Sequence, residues 1–218
     1  MIVITGPTGQ LGTALGRLLH GSEVRNLSED ELDFRALDDI PRALAAINPS
    51  VVINCAAYTA VDPAEEDEST ARIVNATAVG KLAAACADIG ARFVTFSTDY
   101  VFDGTSPDGY VESDQPNPMT AYGRTKLEGE HLAFAHNPSS LVVRTSWLLS
   151  GTHPNFALTM MKLLSNGPVQ VVDDQRGRPT IADDLARATI DAINREATGI
   201  LHLANDGITT WYGLAREI

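Results

Sequence analysis

The chain has 218 residues, enough for one sizeable domain with a buried core, and its formal net charge is −12. This acidic chain without a basic run is a poor partner for nucleic acid, whose backbone requires clustered Lys and Arg. No secretory signal follows Met1 and no apolar stretch could span a bilayer, so we expect no membrane partner and a cytoplasmic location. The two cysteines and five histidines are scattered, which predicts no metal site.

Short apolar segments alternate along the chain with segments of helical periodicity. Strands are predicted over residues 2–5, 23–28, 50–57, 92–98, 139–146, 169–174 and 200–205. Helices are predicted over residues 10–21, 36–49, 69–90, 120–135, 154–167 and 182–199, and the chain ends inside a further helical segment. This alternation predicts an α/β protein with a Rossmann-type, doubly wound parallel sheet.

The first predicted strand and helix are joined by GPTGQLG, which places Gly6, Gly9 and Gly12 at every third position. One glycine can form the tight turn, another can admit a diphosphate to the backbone, and the last can let the helix pack on the sheet. The alternative is a flexible glycine-rich turn. The strand before and the helix after the loop favour nucleotide binding, with the anion at the helix N-terminus.

The second predicted strand leads into Glu29, Asp30 and Glu31. At this position an acidic residue binds the ribose 2′-hydroxyl of NAD, whereas an arginine accepts the 2′-phosphate of NADP. The acidic run argues against a phosphate, but it also fits a solvated turn. The sequence therefore leaves NADH and NADPH both open, with a slight preference for NAD.

The segment AYGRTKLEGE places Tyr122 and Lys126 four residues apart in a predicted helix, so the two side chains share one face. Such a pair can be a chance match. It can also be functional, because an ammonium lowers the pKa of a neighbouring phenol. Thr98 ends the predicted strand 92–98, and the helix returns to the same edge of the sheet. We therefore expect the three groups to converge near a nicotinamide, where Tyr122 would protonate a carbonyl oxygen that Thr98 holds. The long irregular segment 99–119 is expected to be functional, with a lid over the site as a guess.

Six segments together resemble those of the extended short-chain dehydrogenase/reductases: GPTGQLG, NCAAYTAVDPAE, STDYVFDG, AYGRTKLEGE, VRTSWLLS and VDDQRGRPT. The resemblance covers essentially the whole chain. It implies an NAD(P)H-dependent oxidoreductase that reduces the 4-keto group of dTDP-4-dehydro-6-deoxy-L-mannose to dTDP-L-rhamnose. The implied cofactor is NADPH or NADH, the implied partner is a nucleotide-sugar, and a homodimer is a possible assembly.

The resemblance also assigns residues to the site. It gives catalytic roles to Thr98, Tyr122 and Lys126, and places the last two against the cofactor as well. The other implied cofactor-binding residues are Gly6, Gly9, Gln10, Leu11, Gly12, Asp33, Phe34, Ala57, Tyr58, Thr59 and Phe96. The implied substrate-binding residues are Thr98, Asp99, Tyr100, Phe102 and Trp147. Asn75 matches a helix asparagine that supports the site, or else it satisfies backbone groups.

The resemblance implies an NAD(P)-binding Rossmann domain over 1–150. It also implies a substrate-binding region over 151–218 that is interleaved with the last strands of the sheet. Family members extend beyond the position of Ile218, so most of the part that encloses the nucleotide-sugar is expected to be missing. Some members bind magnesium at a dimer contact through carboxylates. Here Ala14 stands where one would be expected, leaving Asp183 and Asp184, so no metal is predicted.

Two alternatives share this fold. A sugar-nucleotide epimerase or dehydratase would use the same tyrosine and lysine but would keep its NAD tightly bound, with no net consumption of reduced cofactor. A non-catalytic regulatory subunit, of the kind that accompanies methionine adenosyltransferase, would bind without chemistry. The Thr98, Tyr122 and Lys126 set favours an enzyme.

Overall fold

The computed structural model describes every residue from Met1 to Ile218, and a parallel sheet of six strands forms its centre. The strands are β1 (Ile2–Thr5), β2 (Val24–Leu27), β3 (Val51–Asn54), β4 (Arg92–Thr98), β5 (Leu141–Thr145) and β6 (Gly199–His202). They lie side by side in the order β2-β1-β3-β4-β5-β6. None of the helices combines the length and the apolar character that a membrane span requires.

Nine α-helices accompany the sheet. They are α1 (Gln10–Leu18), α2 (Asp39–Ile47), α3 (Val61–Glu66), α4 (Glu68–Arg72), α5 (Ala78–Ile89), α6 (Ala121–His136), α7 (Phe156–Leu164), α8 (Ala182–Asn194) and α9 (Trp211–Arg216). One core cluster joins the sheet to α2, α5 and α6, and a second joins it to α1 and α8. Helices therefore cover both faces of the sheet, which confirms the doubly wound α/β fold.

The winding of the sheet reverses at β1. This strand pairs with β2 on one side and with β3 on the other, so that Thr5 lies level with both Leu27 and Asn54. The helices that follow β1 and β3 consequently pack on opposite faces of the sheet, α1 in one core cluster and α5 in the other. In open α/β sheets, ligands bind at such a switch point.

The helix predicted over 69–90 is divided in the structure. α4 and α5 are joined by a π-helical turn, Ile73–Thr77, and a separate short helix, α3, precedes them. The turn lies against α6, where Gly129 leaves no room for a side chain: an added Cβ would lie 2.1 Å from the Asn75 carbonyl oxygen. A π-turn bulges the backbone locally. Its position depends on this tertiary contact, which local periodicity does not encode.

The strand predicted over 169–174 is wrong. The edge of β5 is already paired with β6, in the register Leu141↔Gly199, so the apolar segment has no strand to pair with. Val172 within it is 52% exposed. Two short pairings form nearby instead: Arg176–Gly177 with Thr209–Thr210, and Leu148–Leu149 with Thr180–Ile181. The division of the chain at residue 150 stays a prediction.

Candidate active site

The chain leaves β1 through a glycine turn that touches the loop after β3. Gly6 has φ +61°, a conformation that favours glycine, and an added Cβ would lie 2.6 Å from the backbone nitrogen of Ala56. Gly12 packs α1 onto the same turn, since its Cβ would lie 2.2 Å from the Gly6 carbonyl oxygen. Gly9 has more room, with its nearest neighbour at 3.6 Å. The close approaches are thus made at Gly6 and Gly12.

The N-terminus of α1 is open to a ligand. Gly9 occupies the N-cap position, no side chain caps the helix, and its first turn carries no acidic residue. The backbone N–H groups of Gln10, Leu11 and Gly12 have no acceptor within the chain. Unpaired N–H groups at the positive end of a helix dipole are the groups that bind a phosphate. The residues present therefore fit the diphosphate of a dinucleotide.

The glycine loop is braced from a distant part of the chain, between Leu148 and Asn155. Gln10 donates from Nε2 to the Leu148 carbonyl oxygen over 3.3 Å, and Asn155 donates from Nδ2 to Gln10 Oε1 over 3.3 Å. The ring nitrogen Nε2 of His153 lies 2.9 Å from the Thr8 carbonyl oxygen. Sequence analysis missed His153 and Asn155, because no local pattern connects them with a loop about 140 residues away.

Asp33 and Phe34 are adjacent in the chain but lie in different surroundings. Phe34 is buried in the core cluster beneath α2. The Asp33 carboxylate is at the surface and accepts hydrogen bonds from the Arg35 backbone N–H and from its Nε, at 2.8 and 2.9 Å. These bonds hold the pKa of Asp33 below its ordinary value. Both residues stay predicted adenine neighbours.

Asn75 fixes the loop after β3, which contains Ala57, Tyr58 and Thr59. Its side-chain amide accepts from the Tyr58 N–H over 2.9 Å and donates to the Tyr58 carbonyl oxygen over 3.0 Å. It also donates to the Thr125 hydroxyl in α6 over 3.3 Å. Asn75 therefore satisfies backbone groups and, by the same bonds, ties this loop to the helix that carries Tyr122.

The start of α6 is held at its N-cap and by close backbone contacts. Thr120 accepts the N–H of Gly123 on its hydroxyl over 3.0 Å, and the Glu65 carboxylate accepts the N–H of Ala121 over 2.6 Å. Gly123 lies against the turn after β4, because an added Cβ would be 2.1 Å from the Tyr100 carbonyl oxygen. Glu65 and Gly123 are positioning residues that sequence analysis did not single out, although both lie within its conspicuous motifs.

Thr98 and Tyr122 meet at the end of β4. The Thr98 hydroxyl donates to the Asp99 carboxylate over 3.0 Å and accepts the Tyr100 N–H over 3.2 Å. Burial raises the pKa of Tyr122 well above its ordinary value, while a hydrogen bond with Thr98 acts in the opposite direction. The expectation that Lys126 lowers this pKa is therefore wrong, because loss of hydration around the phenol dominates.

Lys126 lies one turn further along α6 and is only 5% exposed. Burial lowers the pKa of its ammonium to about 8, although Glu130 raises it in part. Its Nζ has no hydrogen-bond partner in the chain, and it borders a small cavity lined also by Phe96 and Ser97. The Ser97 hydroxyl is buried and likewise unpartnered. A buried cation without a partner fits the hydroxyl groups of a cofactor ribose.

A buried ion pair connects α6 with the substrate side of the sheet. Arg144 in β5 donates from Nε and Nη2 to the two carboxylate oxygens of Glu130, at 2.9 and 2.7 Å. Both side chains are at most 4% exposed. The Arg144 guanidinium also lies over the Phe102 ring, 5.1 Å from its centre. The pair thus fixes one wall of the neighbouring cavity relative to the helix that carries Tyr122.

A cavity of about 550 Å³ opens beside the ends of β4, β5 and β6. Phe102 lines it and stacks on Tyr110 with ring centres 4.2 Å apart. The Tyr110 hydroxyl donates to the Asp103 carboxylate over 2.6 Å, which anchors the loop above. Asp99 lines the cavity and is exposed there, and the protein packed around its carboxylate raises its pKa to about 6. The volume suits a small ligand or part of a larger one.

Trp147 and Tyr100 do not line this cavity. Trp147 has φ +45° and stacks on Trp211, with ring centres 3.5 Å apart. Gly177 supports the indole, since a Cβ there would lie 2.4 Å from it. Tyr100 packs edge-on against Tyr122 with ring centres 5.6 Å apart. The structure therefore brings Tyr100 to Tyr122 and holds Trp147 in a separate aromatic stack.

The carboxylates considered for magnesium already have cationic partners. Asp183 accepts a hydrogen bond from Arg17, and Asp184 forms an ion pair with Arg187 at 3.1 Å. Ala14 is buried in the core. No three His, Cys, Asp or Glu side chains are grouped so that they could hold a metal ion.

The glycine turn at the switch point, together with Thr98, Tyr122 and Lys126 at the end of β4 and the start of α6, defines a Rossmann-type oxidoreductase that uses a nicotinamide dinucleotide. The family model described as "RmlD substrate binding domain" matches residues 1–218. The chain belongs to this family.

Relatives and solved structures agree with this assignment. The chain is 40% identical to a Burkholderia thailandensis protein named dTDP-4-dehydrorhamnose reductase, over 100% of this chain and 76% of that protein. It is 43% identical to a Streptomyces antibioticus protein named as a probable dTDP-4,6-dihydroxy-2-methyloxan-3-one 4-ketoreductase, over 99% of this chain and 75% of that protein. A Bacillus anthracis dTDP-4-dehydrorhamnose reductase, solved in complex with NADP, superposes with a TM-score of 0.95 at 35% identity, over 99% of this chain and 78% of that one.

Proposed function

We propose that the chain catalyses the NAD(P)H-dependent reduction of the 4-keto group of dTDP-4-dehydro-6-deoxy-L-mannose, giving dTDP-L-rhamnose. The observation that carries the proposal is the meeting of Thr98 and Tyr122, with Lys126 one turn away, on the same sheet whose first strand leads into an α1 N-terminus with unpaired N–H groups. The names of the relatives identify the substrate class. NADPH or NADH, when bound, supplies the hydride.

The residues of the glycine loop and of α6 hold the cofactor in this proposal. The N–H groups of Gln10, Leu11 and Gly12 bind its diphosphate. The Lys126 ammonium binds the ribose next to the nicotinamide, which gives this buried cation the hydrogen-bond partners it lacks in the chain. Ala57, Tyr58, Thr59 and Phe96 are proposed to lie along the cofactor between these two sites.

Tyr122 donates the proton that completes the reduction. Its raised pKa keeps the phenol protonated at neutral pH, so the proton to be donated is present, although the same shift makes the phenol a weaker acid. Thr98 holds the same carbonyl oxygen with its hydroxyl, so that the oxygen is polarised before it takes the proton. After the transfer, the hydrogen bond with Thr98 favours the phenolate until it regains a proton from solvent.

The cavity beside Asp99 is proposed to receive the nucleotide-sugar. Asp99 and Phe102 line it. Tyr100, which packs against Tyr122 outside the cavity, and Trp147, from the aromatic stack, are proposed to contact the sugar. Arg176 and Arg178 line the outer part. Arg178 is paired with Asp206 at 3.0 Å, whereas Arg176 has no ion pair, so its charge is available to a diphosphate.

A direct assay tests the proposal against both alternatives. The purified chain is mixed with dTDP-4-dehydro-6-deoxy-L-mannose and NADPH or NADH, and cofactor oxidation is compared with the dTDP-L-rhamnose formed. We expect one reduced cofactor to be consumed for each sugar reduced. Conversion of the sugar without net oxidation would indicate an epimerase or dehydratase, and cofactor binding without any conversion would indicate a regulatory protein.

The assembly and location of the protein are also proposals. A homodimer is proposed as a possible assembly, with sedimentation velocity as its test. Action in the cytoplasm is proposed as well.

A further inference from the structure

Lys126 and Glu130 stand four residues apart in α6, so their side chains share one face of the helix. Both are buried, with 5% and 3% of their surfaces exposed. Because little water screens them there, an ammonium and a carboxylate at this spacing attract each other. Among the residues that line the small cavity beside them, these two are the only charged ones. The helix by itself therefore favours an ion pair between Lys126 and Glu130.

The structure pairs Glu130 with Arg144 instead. Arg144 reaches from β5, and its Nε and Nη2 donate to the two carboxylate oxygens at 2.9 and 2.7 Å. A bidentate pair of this kind fixes the orientation of the carboxylate as well as its position. Lys126 forms no ion pair, and the charge of Glu130 raises the pKa of Lys126 less than burial lowers it. The carboxylate thus acts on the ammonium from a distance without binding it.

Arg144 is held in this orientation from its other sides. Its guanidinium lies over the Phe102 ring, 5.1 Å from the ring centre, and its Nη1 lies 3.4 Å from Nε2 of His202 on the neighbouring strand. The backbone N–H of His202 donates in turn to the Glu112 carboxylate over 2.9 Å. Since Arg144 is also only 4% exposed, its guanidinium has little freedom to turn away from Glu130.

The partner of Lys126 decides whether its ammonium can serve the cofactor. Side chains on a helix lean towards its N-terminus, which directs Lys126 towards the turn that carries Tyr122, whereas Glu130 follows one turn beyond. An ion pair with Glu130 would draw the ammonium away from Tyr122. It would also engage the N–H groups that the proposed function assigns to the ribose hydroxyls. A free ammonium at this position therefore requires that Glu130 be held elsewhere.

We propose that Arg144 is a positioning residue for the cofactor site: it holds Glu130 and thereby keeps the Lys126 ammonium free to bind the cofactor. The inference rests on the proposed function for the contact between Lys126 and the ribose. It goes beyond that function by giving a role to a residue that lines the substrate cavity and acts on the cofactor through another side chain.

Two variants separate capture of Lys126 from simple loss of packing. Titration calorimetry without substrate measures the Kd of NADH or NADPH, whichever binds the parent more tightly. Arg144→Met keeps an apolar stem against Phe102 but releases Glu130 to Lys126, and it should raise the Kd at least about tenfold. Arg144→Met combined with Glu130→Gln removes the carboxylate as well and should return the Kd to within about threefold of the parent. An unchanged Kd in the single variant, or no recovery in the double variant, would contradict the inference.

The pH dependence of cofactor binding to the parent chain gives a test that needs no variant at Arg144 to fold. A free, buried Lys126 loses its charge at a pKa of about 8, so the Kd should rise several-fold between about pH 7 and pH 9. Other groups on this side do not titrate there: Glu130 is paired, the pKa of Asp99 is about 6, and that of Tyr122 is raised. Lys126→Met should abolish the rise. A Kd that stays constant to pH 9 in the parent would mean that the ammonium is already paired.

A second arginine paired with α6 provides the matched control. Arg72 donates from Nε to the carboxylate of Glu128 over 2.8 Å, but this pair is at the surface. Arg72→Met should change the Kd by less than about twofold. An effect as large as that of Arg144→Met would show that α6 needs anchoring in general, which refutes a specific role for Arg144. Failure of the parent to bind either cofactor would remove the proposed function itself, whereas equal Kd values in parent and variants would remove only this inference.

Discussion

The two sides of the site are constructed differently. On the coenzyme side, by which we mean the glycine loop and the loop after β3, the close contacts are between backbone atoms. Gly6 contacts the Ala56 backbone, and Gly12 contacts the Gly6 backbone. On the substrate side, side chains meet side chains, as in the stack of Phe102 on Tyr110 and that of Trp147 on Trp211. The first arrangement depends on glycine at a few positions, whereas the second depends on the size and shape of many residues.

This difference indicates which side changes easily. Backbone contacts tolerate no added atom, so the glycine positions on the coenzyme side are tightly constrained. Side-chain stacks can be exchanged without moving the sheet, and the substrate side can therefore be adapted to different sugars. Two relatives of similar identity to this chain carry the names of reductases for different dTDP-sugars, which is consistent with this view.

The largest effect is expected where the two sides meet, at Tyr122. Tyr122→Phe removes the proposed proton donor but keeps the ring that packs on Tyr100. We expect kcat to fall by about 10²–10⁴-fold, because general acid catalysis contributes that much, while the Kd for NADH changes little. Steady-state kinetics and calorimetry measure the two quantities.

Tyr212, which is 43% exposed in α9, provides the control for this change. Tyr212→Phe deletes the same hydroxyl away from α6 and should leave kcat unchanged. Unchanged turnover in the Tyr122→Phe variant would show that another group supplies the proton.

The next largest effect concerns the coenzyme side alone. Gly12→Ala would place a methyl group 2.2 Å from the Gly6 carbonyl oxygen, so the loop must move. We expect a loss of about 1–3 kcal/mol in the free energy of unfolding, together with much weaker cofactor binding. Urea unfolding and calorimetry measure these changes.

Gly16 supplies the matched control, because it lies in the same helix with no atom within 4 Å of an added Cβ. Gly16→Ala should stabilise the protein by about 0.5–1 kcal/mol, as expected for alanine in a helix. Similar behaviour of the two variants would show that the close approach at Gly12 does not matter.

The elements that follow from local sequence were predictable. The six sheet strands and the helix that carries Tyr122 were confirmed because each has its own periodicity. The π-turn at Ile73–Thr77 was not predicted, because it depends on the contact between Asn75 and Gly129 across two helices. The prediction of a strand over 169–174 was wrong for a related reason: an apolar segment becomes a strand only where a sheet edge is free to pair with it.

The features of the candidate site likewise divide into those that the sequence predicted and those that depend on tertiary contacts. Gly6 and Gly12 were identified from their spacing, and the order of strands brought Thr98 to Tyr122. The ion pair of Glu130 with Arg144 joins two elements whose contact no pattern reveals. The direction of the Tyr122 pKa shift was missed as well, because the degree of burial is a property of the fold.

A smaller effect, on the free energy of unfolding, is expected when Lys126 on the coenzyme side is replaced. Burial of its ammonium disfavours folding below the folded-state pKa of about 8. Above that pH the folded protein releases this proton before the unfolded chain does, so the penalty declines and is gone above the unfolded pKa of about 10.4. Lys126→Met should therefore be more stable than the parent by about 1–3 kcal/mol at pH 7, with the gap closing towards pH 10.5.

Urea unfolding at a series of pH values measures this gap. Lys81, which is exposed in α5, is the control, and Lys81→Met should show no pH-dependent difference from the parent. A constant gap for Lys126→Met would mean that packing, rather than the buried charge, determines its stability.

The smallest effect is expected on the substrate side, at Gly177. An added Cβ would lie 2.4 Å from the Trp147 indole, but here the obstacle is a side chain that can rotate away. Gly177→Ala should separate Trp147 from Trp211, raise KM for the nucleotide-sugar several-fold, and leave the Kd for NADH unchanged. Tryptophan fluorescence reports the stack directly, and Gly151→Ala, where an added Cβ meets no atom within 4 Å, is the control. If Gly177→Ala weakened NADH binding as strongly as Gly12→Ala does, the two sides of the site would not be independent, and the contrast between backbone and side-chain construction would not hold.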